Sequence, residues 1–216
     1  MGYVVYSVKL GDNVYDIANE YKTSIERIIV SNPNINMYRM RPGAEIIVPV
    51  RNVVDTQVSY SSEILEKDIR NLKLIYPFLE VGEIGKSVLN KSLPYIKIGN
   101  GNKKVFYSAA FHANEWITSL VLMKFLEEYA KAFVENKNIF GHNAQALYYA
   151  TSLYIVPMVN PDGVDLVTGS IKNVEDAYKN AVQIANNFPE IPFPDGWKAN
   201  INGVDLKNYQ PICKVL

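Results

Sequence analysis

Apolar positions along the chain alternate between a period of two and a period near 3.6, and the switches mark the elements. Residues 3–8 (Tyr3-Val4-Val5-Tyr6-Ser7-Val8) read as a strand, and Val14, Ile17, Ala18 and Tyr21 recur at helical spacing after a Gly11-Asp12-Asn13 turn. Asp12 or Asn13 can cap that helix, and Thr23-Ser24 opens a second one carrying Ile25, Ile28 and Ile29. Asn32-Pro33-Asn34 stops it, and Arg41-Pro42-Gly43 turns the chain into a strand from Glu45 to Val50. The block is β-α-α-β. Residues 51–60 are polar without a helical period and read as a linker.

Beyond it, Ser61-Ser62 caps a helix with Ile64, Leu65, Ile69, Leu72 and Ile75 on one face, stopped at Pro77. Strands are expected around Leu79–Leu89 and Tyr95–Gly99, and Asn100-Gly101-Asn102 signals a hairpin into a buried strand over 103–111. Glu115–Phe133 is the clearest helix. Trp116, Leu120, Met123, Ala130 and Phe133 lie on its apolar face, with Lys124, Glu127, Glu128 and Lys131 opposite. Ser152–Met158 reads as another buried strand, Asn160-Pro161-Asp162-Gly163 as a turn, and Asn173–Asn186 as a helix before a proline-rich loop. The alternation implies an α/β fold with a sheet layered by helices.

Length and composition narrow the function classes. The 216 residues suit one or two domains, and with 48% hydrophobic residues the chain can bury a core. Lys+Arg and Asp+Glu number 22 each, a balance that argues against nucleic acid as partner. Cys213 is the single cysteine, so no internal disulfide forms. The start lacks the features of a signal peptide, and no apolar run reaches the roughly 18 residues of a membrane span. The 15 tyrosines suit carbohydrate-facing surfaces as well as packing.

Candidate chemistry centres on Phe111-His112-Ala113-Asn114-Glu115-Trp116. His112 and Glu115 lie where a strand should end and a helix begin, three apart, so both side chains can aim at one point. An imidazole nitrogen and a carboxylate oxygen suit zinc, which in catalytic sites takes three protein ligands and keeps one position open. The bland alternative is a partly buried histidine followed by a helix-start glutamate.

Residues 3–50 resemble a LysM domain through Tyr6 to Ala18, through Ile28-Ile29-Val30-Ser31-Asn32-Pro33-Asn34-Ile35, and through Arg41-Pro42-Gly43-Ala44-Glu45-Ile46-Ile47-Val48-Pro49. The resemblance implies binding of N-acetylglucosamine polymers such as peptidoglycan. The groove would lie between Gly11, Asp12, Asn13 and Val14 on one side and Asn34, Ile35, Asn36 and Met37 on the other. Asn13 stands where the family usually carries threonine, and it retains a side-chain oxygen.

Residues 59–206 look like the front part of a zinc carboxypeptidase-family domain. The motifs are His112-Ala113-Asn114-Glu115-Trp116, Val159-Asn160-Pro161-Asp162-Gly163 and Trp197-Lys198-Ala199-Asn200-Ile201-Asn202-Gly203-Val204-Asp205-Leu206. With a LysM domain in front, the resemblance is to the bacterial γ-D-glutamyl-L-diamino-acid endopeptidase branch, whose members cut peptidoglycan stem peptides. It implies zinc held by His112 and Glu115, and it places Lys198 where an arginine polarises the scissile carbonyl. Asn114 replaces a common arginine, and Lys207 stands where an asparagine is expected, one position before Asn208. The family's third ligand and its catalytic glutamate lie further on, and His142, the other histidine, matches neither.

The domain is therefore expected to be incomplete from residue 61 to residue 216, with a frameshift near Lys207 as one origin. A sheet missing later strands would expose an edge and favour oligomers. Two functions remain open: a zinc peptidase of peptidoglycan, or a non-catalytic wall-binding protein carrying a peptidase remnant. Location is expected to be cytoplasmic, or associated with the spore or cell wall; neither nucleic acid nor a membrane is an expected partner.

Overall fold

A computed structural model describes residues 2–207. The expectations for Asn208, Cys213 and the remainder of the tail lie outside the described residues.

The first block forms as its pattern dictates. Strand β1 (Tyr3–Ser7) pairs antiparallel with β2 (Glu45–Pro49), and between them run α1 (Val14–Glu20) and α2 (Ile25–Ser31). Asn13 caps α1 by accepting the Asp16 N–H at 3.0 Å, and Ser24 caps α2 through Arg27 N–H. Val8, Val14, Ile17, Ile28, Met37, Ile46 and Val48 make a separate small core.

The segment read as a linker is pinned. Val53, Val54 and Tyr60 are buried in the main core, and the Val53 and Val54 N–H groups donate to the Glu127 carboxylate at 2.5 and 3.3 Å. Ser31 Oγ donates to Ile75 O at 2.9 Å, while Tyr3 and Val30 pack on the same core. The small block is thus seated on the larger one.

The larger block has α3 (Ser62–Ile75), β3 (Glu80–Lys86), β4 (Ser92–Ile98), β5 (Lys103–Ser108) and α4 (Ile117–Val134). A short ribbon, β6 (Asn138–Ile139) with β7 (His142–Asn143), leads to α5 (Ala144–Ala150) and β8 (Thr151–Val156). Helices α6 (Pro161–Val167) and α7 (Asp176–Ala185) follow. The four-stranded sheet has the order β3-β4-β8-β5, with β8 antiparallel to β4 and parallel to β5.

This order corrects the hairpin expected at Asn100-Gly101-Asn102. β8 lies between β4 and β5, so the turn joins strands that do not pair. A parallel β5–β8 pair needs a long crossover, which α4 and α5 supply. Gly101 instead lies against the corner between α5 and β8: a Cβ there would sit 2.0 Å from Ala150 C.

Two more expectations change. The strand leading to His112 is not buried: it ends at Ser108, and Phe106 and Tyr107 are exposed because β5 has one hydrogen-bonded neighbour, β8, among the described residues. Asn160-Pro161-Asp162-Gly163 is not an isolated turn but the start of α6, with Asn160 as cap and Pro161 in the first turn.

Asp68 is buried in this core and accepts from Tyr60 Oη at 2.8 Å. Burial pushes its carboxyl up from 3.8 to about 6, with Glu127 adding to the rise and the Tyr60 hydrogen bond opposing it. Between the unfolded and folded values the native state holds the extra proton, so stability is greatest below about pH 4 for this group and falls as pH rises through 6. The expected loss is on the order of 1–2 kcal/mol. Urea unfolding at pH 4.5 and 7 should show it in the wild type, and Asp68→Asn should flatten it; an equal pH slope in both proteins would refute the assignment.

Candidate metal and wall-binding sites

The candidate metal pair stands on a short bridge between β5 and α4. Ala109 N–H donates to Val156 O, while Val159 and Asn160 N–H donate back to Ala109 O and Ala110 O, so the end of β5 is zipped to the chain following β8. Ala110 adopts φ +49. Its N–H donates to Thr118 Oγ1 at 2.9 Å, and that hydroxyl donates to Glu115 O at 2.7 Å, which stabilises a backbone conformation L-residues rarely adopt. A single 3₁₀ turn over Ala113–Glu115 then brings His112 Nδ1 to 2.9 Å from Glu115 Oε1.

A strap of residues 197–200 fixes this turn. Ala113 N–H donates to Lys198 O at 3.0 Å and Asn114 N–H to Trp197 O at 3.1 Å. The Asn160 amide group donates to Phe111 O and Ala199 O, while Asn160 Oδ1 accepts the Gly163 N–H. The third sequence motif is thereby bonded to the first through the second. Asp162 and Asp165 secure α6 from behind. Asp162 accepts from Ser87 Oγ and Leu89 N–H, and Asp165 from Ser62 N–H, Ser62 Oγ and the Lys91 ammonium.

Asp205 was missed by sequence reasoning. Its Oδ1 lies 3.5 Å from His112 Nε2, on the side of the ring away from Glu115. The signal was available: the aspartate belongs to the strap motif, and a ligating histidine ordinarily shares its other ring nitrogen with a carboxylate. Facing Nε2, it cannot share one ion with Nδ1.

The donor types fit zinc at two positions, His112 Nδ1 and a Glu115 oxygen. Among the described residues no group of three His, Cys, Asp or Glu could hold a metal ion. His142 is exposed in β7, apart from this turn in the fold. The Lys198 side chain is exposed and, with Asp205 and Trp197, lines a cavity of about 530 Å³ whose other walls include Ile184, Phe188 and Phe193.

In the small block, Gly11 takes φ +93 and Asp12 accepts from Lys9 N–H and Tyr6 Oη, both at 2.7 Å. Those two bonds hold the Asp12 carboxyl below its usual range, and the same contact raises the Tyr6 phenol to about 12. Asn13, Asn34 and Asn36 are exposed and Ile35 is half-buried. Val14 and Met37 are 1% and 2% exposed, so they present backbone and not side chain to a ligand.

The zinc carboxypeptidase family model matches residues 65–210, more than half of the chain, and a LysM domain model matches residues 6–49. The chain belongs to the zinc carboxypeptidase family. Within this zinc carboxypeptidase chain, the LysM domain at the N-terminal end is of the kind associated with peptidoglycan and the cell wall.

The chain is 46% identical over 159 residues to γ-D-glutamyl-L-diamino acid endopeptidase 1 of Lysinibacillus sphaericus, covering 74% of this chain and 39% of the relative. It is 40% identical over 164 residues to the uncharacterized protein YqgT of Bacillus subtilis strain 168, covering 73% and 42%. The chain thus spans about two fifths of the length of the curated relatives it matches. Among solved structures, bovine thrombin-activatable fibrinolysis inhibitor is similar at 20% identity and TM-score 0.47, over 67% of this chain and 38% of that one. The described helices include none long and apolar enough to cross a membrane.

Proposed function

We propose that this chain carries the wall-binding module and the first two metal ligands of a peptidase that hydrolyses γ-D-glutamyl-diamino-acid bonds in peptidoglycan stem peptides. The observation that carries the reading is the convergence of His112 Nδ1 and Glu115 Oε1 to 2.9 Å on a turn held by the Lys198 backbone carbonyl. His112 and Glu115 would hold zinc, which when bound supplies Lewis-acid polarisation of the scissile carbonyl. Asp205 favours a proton on His112 Nε2, leaving the Nδ1 lone pair for the metal. The Lys198 ammonium, as a point charge, would stabilise negative charge developing on the substrate oxygen. The groove between Gly11–Val14 and Asn34–Met37 would hold the glycan, and the domain limits are those read from sequence: 1–50, a connector at 51–60, and 61–216. The place of action is the wall or spore surface. The side of β5 away from β8, unpaired among the described residues, is the surface through which the chain would oligomerise, read by sedimentation.

A second reading, a wall-binding protein with a non-catalytic remnant, is favoured by the absence of a three-ligand cluster among the described residues. Zinc content per chain after dialysis, with His112→Ala as control, separates the two. One zinc per chain, lost in the variant, supports the peptidase reading. Less than about 0.1 zinc per chain, together with retention on insoluble peptidoglycan, establishes the second.

A further inference from the structure

The two edges of the four-stranded sheet differ in kind. β3 is protected: its register with β4 breaks between Glu83 and Gly85, and Glu80, Glu83 and Lys86 stud it with exposed charge. β5 has neither device past its first two residues. It pairs with β8 in unbroken register from Lys103↔Thr151 to Ser108↔Val156, and Val105, Phe106 and Tyr107 follow Lys103 and Lys104. Its other side is unpaired among the described residues. Phe106 is 62% and Tyr107 48% exposed, and they point to opposite faces of the sheet because side chains alternate along a strand. On one face Phe106 is the register partner of Tyr154. On the other, Tyr107 meets Phe125 of α4 with centroids 6.5 Å apart, and Phe125 stacks on Phe140 at 6.3 Å. Phe140 is 83% exposed. An unpaired strand with apolar surface above and below it is a template for another strand.

We propose that this edge takes β5 of a second copy of the chain, antiparallel, about a twofold axis through Phe106. The proposal rests on the reading of the unpaired side of β5 as the oligomer surface, and it names the occupant and the register. Charge selects the direction. A parallel copy in register would set Lys103 and Lys104 against themselves. The antiparallel copy sets Lys104 against Ser108 and Val105 against Tyr107, with Phe106 facing its own image. No lysine then meets a lysine, and the Phe–Phe and Val–Tyr pairs are of the stabilising cross-strand kinds. The chain's net charge of zero adds no general repulsion. His112 follows the C-terminal end of β5, so the part of the second copy's strand that comes nearest to it is the Lys103–Lys104 end. That end brings no zinc ligand. The dimer covers the edge without completing the metal site.

Sedimentation of the full chain should give twice the chain mass. Phe106→Lys, which puts two ammonium groups on the axis, should weaken association on the order of a hundredfold. Ile84→Lys, at an exposed position on the β3 edge, should leave it unchanged. Matching far-UV circular dichroism checks that both variants are folded. In a Cys213→Ser background, Phe106→Cys should oxidise to a covalent dimer, because directly opposed residues have Cα atoms about 4.5–5.5 Å apart, within disulfide reach. Lys104→Cys should not, since its two copies would stand on the order of 13 Å apart along the strands. Crosslinking through Lys104→Cys in place of Phe106→Cys would overturn the register and leave β5 as the oligomer surface. A wild-type monomer, or a dimer indifferent to Phe106→Lys that crosslinks at neither position, would overturn both. Copurification with a different polypeptide in place of a second copy would overturn the occupant.

Discussion

Glu127→Ala should lower the unfolding temperature by about 10 °C, the effect of roughly 3–5 kcal/mol in a chain of this size. The side chain is 2% exposed and accepts from the Val53 and Val54 N–H groups and from Lys124 Nζ at 2.9 Å. Removing it leaves two buried backbone donors without an acceptor, and each such group costs about 1–3 kcal/mol. Lys124 keeps Glu128 at 2.9 Å, which limits the further loss. The damage should be local first. Residues 51–60 have neither helix nor strand, so Val53, Val54 and Tyr60 would hold them with the Glu127 hook gone. Limited proteolysis should therefore cut the variant within 51–60 and release the LysM block before the rest unfolds. Glu128→Ala is the control: its side chain is 43% exposed, and it should shift stability by no more than about 0.5 kcal/mol. Equal proteolysis and equal unfolding temperatures in the two variants would sink the role assigned to Glu127.

That glutamate also shows where sequence reading stops. The α4 pattern places Glu127 with Lys124, Glu128 and Lys131 on the solvent side, in the order that favours a Glu127–Lys131 pair. In the fold it faces inward and pairs with Lys124, because the connector packs over that part of the helix and brings its own N–H groups. Periodicity registers one helix at a time and carries no information about a segment more than seventy residues earlier that needs an acceptor. The small block was legible for the opposite reason. Its caps, turns and core positions lie within one short stretch, so Asn13, Ser24 and Gly43 fix the path locally. The β4–β5 turn failed because Asn-Gly chemistry signals a reversal and says nothing of which strand lies alongside. At the metal pair, the three-residue spacing sufficed for His112 and Glu115. For Asp205 the strap motif supplied a candidate carboxylate, but only the strap folded back brings it to the imidazole, and motif membership alone does not say which of its polar residues returns there.

The second large effect is expected at Gly163. A Cβ on this residue would lie 2.6 Å from Ala199 O, 2.7 Å from Asn160 Nδ2 and 2.8 Å from Ala113 Cβ. Two of these neighbours belong to the strap backbone and to the 3₁₀ turn, so no flexible side-chain tip can swing away. Gly163→Ala must then part α6 from the strap, from the metal-pair turn, or from both. Alanine is the better helix former by about 1 kcal/mol, and this gain should be outweighed by overpacking, for a net loss of roughly 1–3 kcal/mol. The reporter lies in the strap itself: Trp197 is 7% exposed and its indole N–H donates to Asn200 O at 3.2 Å. Its emission should shift to the red as the strap lifts, and any zinc retained by the wild type should be held more weakly as the Lys198 carbonyl releases the Ala113 N–H. Gly85→Ala is the comparison, since a Cβ there meets nothing within 4 Å. Wild-type emission and stability in Gly163→Ala would mean that the three motifs are not one joint. A red shift with lowered stability, absent from Gly85→Ala, would mean that the spacing between the metal pair and Lys198 is set by the room that a missing side chain leaves.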